Sequence, residues 1–269
     1  MTKVHGMSDP DYVNQQYRDG SNLNARIRLH QLFSVNKQGW QRWLFDQIKF
    51  KRDSRILELG CGTGELWLEN SDRIPNGLDI VVSDFTEGMV AQVQENLKNI
   101  NHFFQFKVID AQSIPFDEDQ FDIVIANHML FHLPDREKGL SEIKRVLKPN
   151  GWLYASTIGG SNLKEINELV TRFEPGFSNW NTLASDSFSL DNGKAQLEHF
   201  FSHVSLCRYT DSLRVTDPKP LIDYILSGRL QLSEEQKGEL VKFVDHEFGD
   251  NGGAFIVTKD SGVFAARKE

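Results

Sequence analysis

Between Arg55 and Thr157 five short apolar runs, RILEL, LDIVVS, FFQFKVI, FDIVIANHM and GWLYAST, alternate with segments of helix length. Short runs rich in β-branched and aromatic residues, separated in this way, read as strands of a parallel sheet buried on both faces and joined by crossover helices. The helix signals fall where that reading needs them. Thr86 can cap a segment with apolar positions Met89, Val93 and Leu97, and Leu140, Ile143, Val146 and Leu147 form a stripe that stops at Pro149-Asn150-Gly151.

The flanks are different. The first 50 residues have helically spaced apolar positions, from Leu23, Ile27, Leu29, Leu32 and Phe33 to Trp40, Trp43, Leu44, Phe45 and Ile48. After Thr157, Ser161 can open a helix running to Phe173, and residues 176 to 196, rich in Ser, Asn, Asp and Gly, read as a loop or lid. Two β-rich segments, HVSLCRYTDSLRV and AFIVTKDSGVFAARK, read as a terminal antiparallel pair. Between them lie helical patterns at Pro218 to Ser227 and from Ser233, where Ser233 and Gln236 fit a capping box.

Composition narrows the function classes. A chain of 269 residues is one large domain or one domain with a cap. No run reaches the roughly 18 to 20 apolar residues of a membrane span, and the N-terminal stretch has neither signal-peptide nor transit-peptide character, so the expected compartment is the cytoplasm. The two cysteines, Cys61 and Cys207, exclude a disulfide scaffold and a zinc ribbon. A net charge of −8 argues against general nucleic-acid affinity, although residues 26 to 55 hold eight basic and two acidic side chains.

The sharpest chemical signal is Ile56-Leu57-Glu58-Leu59-Gly60-Cys61-Gly62-Thr63-Gly64-Glu65-Leu66. A strand ends in closely spaced glycines and passes into a helix, which presents backbone amides to the crevice at the strand's carboxyl end, a place for a nucleotide-like ligand. The dinucleotide fingerprint G-x-G-x-x-G/A needs Gly or Ala where Glu65 stands. A carboxylate at that helix start favours a ligand without a pyrophosphate. Asp84 ends the second strand, where an acid can accept the hydroxyls of a ribose, and Asp110 ends the third, positioned to meet the exocyclic amine of a purine.

These residues, with "LELGCGTG", "SDFTEGM", "DAQSIPFDEDQFDIVIANHMLFHLPD" and "EIKRVLKPNGWLYAST", make residues 52 to 158 resemble the class I S-adenosylmethionine (SAM) dependent methyltransferases. Within them the similarity is to the small-molecule group of ubiquinone and menaquinone biosynthesis. The resemblance implies an α/β fold with a Rossmann-like seven-stranded sheet, mostly parallel with an antiparallel terminal strand, and helices on both faces. Residues 1–50 would be a helical cap over the active site, and residues 51–269 the methyltransferase domain, with a lid or insert around 159–200. It implies that Glu58 and the turn Gly60, Cys61, Gly62 and Gly64 hold the methionine part of SAM and Asp84 the ribose. Phe85 and Met89 would flank the adenine, Asp110, Ala111 and Gln112 would read its edge, and Asn127 and His128 would sit beside the sulfonium and the acceptor. S-adenosylhomocysteine would be the product, and the partner a small-molecule acceptor.

Other residues bear on the acceptor. His128 and His132 are candidates for a general base with a pKa near neutrality. Their i, i+4 spacing resembles a metal pair, but no HExxH carboxylate accompanies it, and no metal is expected. Tyr17, Arg26, His30 and Trp40 are candidate acceptor contacts, Arg26 and His30 sharing a helix face as an anion-binding pair. Asn127-His128-Met129-Leu130 replaces the Asn/Asp-Pro-Pro-aromatic tetrapeptide of amino-methylating DNA enzymes, and the Pro-Cys nucleophile of cytosine C5 methylation is absent. Two rival readings stand: a SAM-binding regulatory protein without catalysis and a nicotinamide oxidoreductase. A monomer or homodimer is expected.

Overall fold

The structure is a computed structural model that describes residues 21–177, 187–228 and 232–269. The five sequence-predicted strands form as β1 (Arg55–Leu59), β2 (Asp79–Asp84), β3 (Phe104–Val108), β4 (Phe121–Asn127) and β5 (Leu147–Ile158). With β6 (Ser202–Tyr209) and β9 (Ser261–Arg267) they make a seven-stranded sheet in the order β3-β2-β1-β4-β5-β9-β6. All neighbouring pairs from β3 to β5 are parallel, and β9 runs antiparallel to both β5 and β6. The antiparallel strand is the last of the chain, as expected, and lies between β5 and β6 in the sheet. β5 also starts earlier than the sequence suggests, since Leu147 and the Pro149-Asn150-Gly151 stop signal lie within it, beside a register shift against β4.

The period of two along the strands feeds two cores. Leu57, Leu59, Val81, Val124, Ala126, Leu153 and Ala155 face one side, where they meet α5 (Arg136–Val146) and α7 (Gly193–Glu198). Ile56, Ile80, Val82, Ile123, Ile125 and Tyr154 face the other, where α2 (Trp40–Gln47), α3 (Glu65–Leu68) and α4 (Glu87–Leu97) cover them. Burial on both faces is why these strands read as continuous apolar runs.

A second unit packs beside the sheet. α1 (Ser21–Phe33), α6 (Lys164–Phe173), α8 (Pro218–Leu226), α9 (Glu234–Asp250) and a two-stranded sheet of β7 (Ser212–Val215) and β8 (Phe255–Thr258) share a separate apolar core around Leu29, Ile166, Leu213, Leu221, Val244 and Val257. The two terminal β-segments pair as expected, but each divides between the two sheets. β6 and β7 are parted by Thr210 and Asp211, β8 and β9 by Lys259 and Asp260. The helical stretch expected in residues 1–50 is likewise shared, α1 joining the second core and α2 the sheet. Within the expected lid, Phe188 and Leu190 are buried in the main core and Thr157 Oγ1 donates to the Phe188 carbonyl, so residues 187–198 are scaffold. The sequence hid this because small polar residues there cap and tie the chain instead of exposing it. Ser189 Oγ accepts from the backbone N–H groups of Asp191 and Asn192.

Candidate active site

β1 and β4 are central neighbours, and the chain leaves them toward opposite edges of the sheet, which opens a crevice at their carboxyl ends. A cavity of about 740 Å³ occupies this crevice and continues between the sheet and the second core.

The glycine turn forms one wall. Gly60, Gly62 and Gly64 have φ of 66°, 55° and 85°, a region that glycine enters without steric cost. Space imposes the same choice. A Cβ on Gly60 would lie 2.7 Å from Met129 Cβ, and one on Gly64 2.5 Å from Val93 Cγ2. Asp84, at the end of β2, clamps the turn through its Oδ2, which accepts from Gly62 N–H at 3.0 Å, while Oδ1 accepts from Thr86 N–H at 3.2 Å. Each carboxylate oxygen keeps acceptor capacity toward the cavity. Phe85, 42% exposed, and Met89 continue the wall to Asp110, whose Oδ1 accepts from Gln112 N–H at 2.9 Å.

Gly60, Cys61, Gly62, Asp84, Phe85, Met89, Asp110, Ala111, Gln112, Asn127, His128, His132, Arg26, His30 and Trp40 all line this one cavity. Glu58 and Gly64 do not. The Glu58 carboxylate lies buried beneath the turn and accepts from Trp67 Nε1 at 2.6 Å, and Gly64 packs against α4. Tyr17 lies outside the described residues.

The charge near the turn is acidic and poorly solvated. Burial pushes Glu58 up to about 7, opposed by the Trp67 hydrogen bond and helped by Asp84. Burial also raises Glu65, Glu69 and Asp84 above their ordinary range, and the Cys61 thiol is pushed up by burial, Glu58 and Asp84, which leaves it a poor nucleophile.

At the other end β4 delivers Asn127 and His128. Asn127 Oδ1 accepts from Ser156 Oγ at 2.7 Å and from Trp40 Nε1 at 3.2 Å, which ties α2 to the strand end. His128 takes φ 54°, an uncommon conformation for a residue with a Cβ, held by its N–H donating to Ser156 Oγ at 2.9 Å and by the Trp40 ring 4.9 Å away. Burial, then Lys259 and His132, lowers the His128 pKa to about 4, so the structure does not reproduce the near-neutral value expected of a base. His30 is lowered to about 3 by burial and Lys259. The Arg26–His30 face therefore carries one charge, and the Arg26 guanidinium donates to the Ser227 carbonyl at 3.2 Å, at the end of α8.

Lys259, Gln41, Tyr224 and Ser261 are among the cavity-lining residues that the sequence candidates did not include. Lys259 stands in a Lys-Asp turn between apolar runs, a pattern that reads as a solvated bend. Among the described residues, no helix is long and apolar enough to cross a membrane, and no group of three or more His, Cys, Asp or Glu is arranged to hold a metal ion.

The fold and the acid-lined glycine turn define a class, and comparison with known proteins agrees with it. A family model for the methyltransferase domain matches residues 57–155. Over those residues this chain carries a methyltransferase domain of the class I SAM-dependent type. Among curated relatives it is 32% identical over 142 residues to a demethylmenaquinone methyltransferase of Lactobacillus johnsonii, covering 50% of this chain and 58% of that protein. It is 34% identical over 121 residues to a ubiquinone/menaquinone biosynthesis C-methyltransferase of Geobacter sulfurreducens, covering 44% and 47%. The chain thus matches about half the length of these relatives. Among solved structures, the [4+2]-cyclase SpnF aligns with a TM-score of 0.60 at 16% identity, covering 98% of this chain and 97% of that one. A Haemonchus contortus phosphoethanolamine N-methyltransferase, bound to phosphomonomethylethanolamine and S-adenosylhomocysteine, aligns at 0.56 and 18%, covering 100% and 61%. At these identities the solved structures speak to the fold alone.

Proposed function

We propose that this protein transfers a methyl group from SAM to a small-molecule acceptor bound between the sheet and the second core. The observation that carries the reading is the charge of the glycine-turn wall. Glu65, Glu69 and Asp84 line it with Glu58 beneath, all raised by burial, and such a wall suits a ligand whose methionine end carries cationic groups and repels a pyrophosphate.

Bound SAM supplies an electrophilic methyl on a positively charged sulfur. The residues of this chain then do the positioning. Asp84 has acceptor capacity for two ribose hydroxyls, Phe85 and Met89 offer apolar contact to a purine, and Asp110 with Gln112 offers polar groups at its edge. Asn127, His128 and Trp40 contact one another and line the same cavity at the end of β4. Aligning two reactants contributes roughly 7 to 11 kcal/mol, against a factor of roughly 10² to 10⁴ from a general base. His128 and His132 are at hand for a proton, but with a pKa of about 4 His128 is a weak base, so the acceptor's own acidity carries most of the deprotonation.

The test is calorimetry of S-adenosylhomocysteine with the wild-type protein and Asp84→Asn, followed by turnover against an acceptor library. The expected outcome is binding weakened about 10- to 100-fold in the variant, one or two charge-assisted hydrogen bonds being lost. Equal affinity, or a preference for NAD, overturns the cofactor assignment. Binding without turnover of any acceptor indicates a SAM-binding regulator.

A further inference from the structure

Lys259 is a cation of the acceptor half of the cavity, which Arg26 of α1 also lines, and it is built in. Its side chain is only 7% exposed, it sits where β8 hands over to β9, and its Nζ lies 2.8 Å from Asp211 Oδ2 and 5.2 Å from the centre of the Tyr209 ring. Asp211 is fully buried and heavily subscribed. Its oxygens also accept from Ser34 Oγ, from Asn36 N–H at 2.9 Å and from Ser212 N–H at 2.8 Å. Neutral donors thus carry part of the aspartate's charge. Among the described residues Lys259 has no other hydrogen-bond partner, although an ammonium has three N–H donors.

The position sets this group apart from the cofactor half. Ser261 pairs with Ile158 at the end of β5, so Lys259 lies beyond the carboxyl end of that strand, on the side of α1 and His30. The charge reaches His30 and His128, where it adds to burial in lowering both pKa values. Ile27, Ile158, Leu163 and Tyr224 give this side of the cavity apolar and aromatic wall, beside the polar Arg26, His30 and Asn162. A buried cation with free donors in such walls is complementary to an anionic oxygen on an otherwise apolar molecule.

We propose that Lys259 anchors a carboxylate carried by the methyl acceptor, so that the substrates of this protein are small carboxylic acids with an apolar or aromatic body. This rests on the methyltransferase reading of the same cavity. Lys259 holds the acceptor away from its reacting atom and sets specificity.

The experiment uses the full chain saturated with S-adenosylhomocysteine. Benzoate, 1-naphthoate and octanoate are titrated by calorimetry or ligand-observed NMR, each against its neutral amide. The expected result is that carboxylates bind and amides do not, that Lys259→Gln weakens the carboxylates about 10- to 100-fold, and that Lys259→Arg restores them, with cofactor affinity unchanged in both variants. The double variant Lys259→Met/Asp211→Asn removes the ion pair without leaving a buried charge, and it must show the same loss. No preference for carboxylate over amide, or an effect confined to cofactor affinity, overturns the proposal. Failure of the wild-type protein to bind S-adenosylhomocysteine overturns the methyltransferase reading itself, and is separately visible.

Discussion

The carboxyl group of Glu58 lies two residues before the glycine turn, sealed below it with Trp67 as its hydrogen-bond donor. Its pKa of about 7 lies above the roughly 4.3 of an unfolded chain, so the folded protein binds that proton more tightly. Stability from this group is fully present below about pH 4.3 and is lost as pH rises through about 7, at about 1.4 kcal/mol per unit, an upper bound near 4 kcal/mol. Glu58→Gln keeps an acceptor for Trp67 and removes the titration. Denaturant unfolding of the ligand-free protein is expected to show the two proteins similar at pH 5 and the variant more stable at pH 8, and equal stability at both values contradicts it. Cationic ligand groups above the turn pull in the other direction, so cofactor binding near pH 7 is expected to release a proton to the buffer.

At the scale of elements, the decisive join is the bent ribbon of β6–β7 and β8–β9. Asp211 sits at the bend, bonded to Lys259, to Ser34 and Asn36 after α1, and to the start of β7. Val35 N–H also donates to the Ser212 carbonyl at 2.9 Å. Replacing Asp211 with Ala strands a buried ammonium and frees the end of α1, with an expected cost of about 3 to 5 kcal/mol. Hydrogen exchange is expected to speed up first in α1 and β7, before β1 to β5; uniform acceleration argues against a local tie. The strands of the main sheet were legible because burial on both faces writes itself as apolar runs. The ribbon's division was not, because a Thr-Asp or Lys-Asp pair inside an alternating run looks the same whether the bend is wet or buried by distant helices. Lys259 was invisible for that reason, while the glycine turn, Asp84 and Asp110 were legible because their geometry is set within a few residues.

For the whole molecule, the cavity lies along the seam of two cores, and it is lined by His30 from α1 and His128 from the end of β4. Their pKa values of about 3 and about 4 lie below the unfolded value of about 6.5. The stability they confer by staying neutral is present above pH 6.5 and is lost as pH falls toward 4 and 3. Acidification is therefore expected to loosen the seam, read as a change in Trp40 fluorescence between pH 6 and 4 at a lower denaturant midpoint. The His30→Gln/His128→Gln double variant should flatten that dependence; an unchanged profile places the acid sensitivity elsewhere.

The second core is drawn from three stretches of chain: α1, α6, and the run from β7 to β8. Segments of the main sheet lie between them in sequence, and both ribbon strands pass from one sheet into the other. No single exchange of a contiguous piece can therefore transplant the acceptor pocket onto another scaffold of this fold. Any swap that takes β7 without β8, or α1 without Asp211, leaves half of an interface behind. On the proposed reading, new acceptor preferences are expected from point changes around Lys259 and His30, not from exchanged modules.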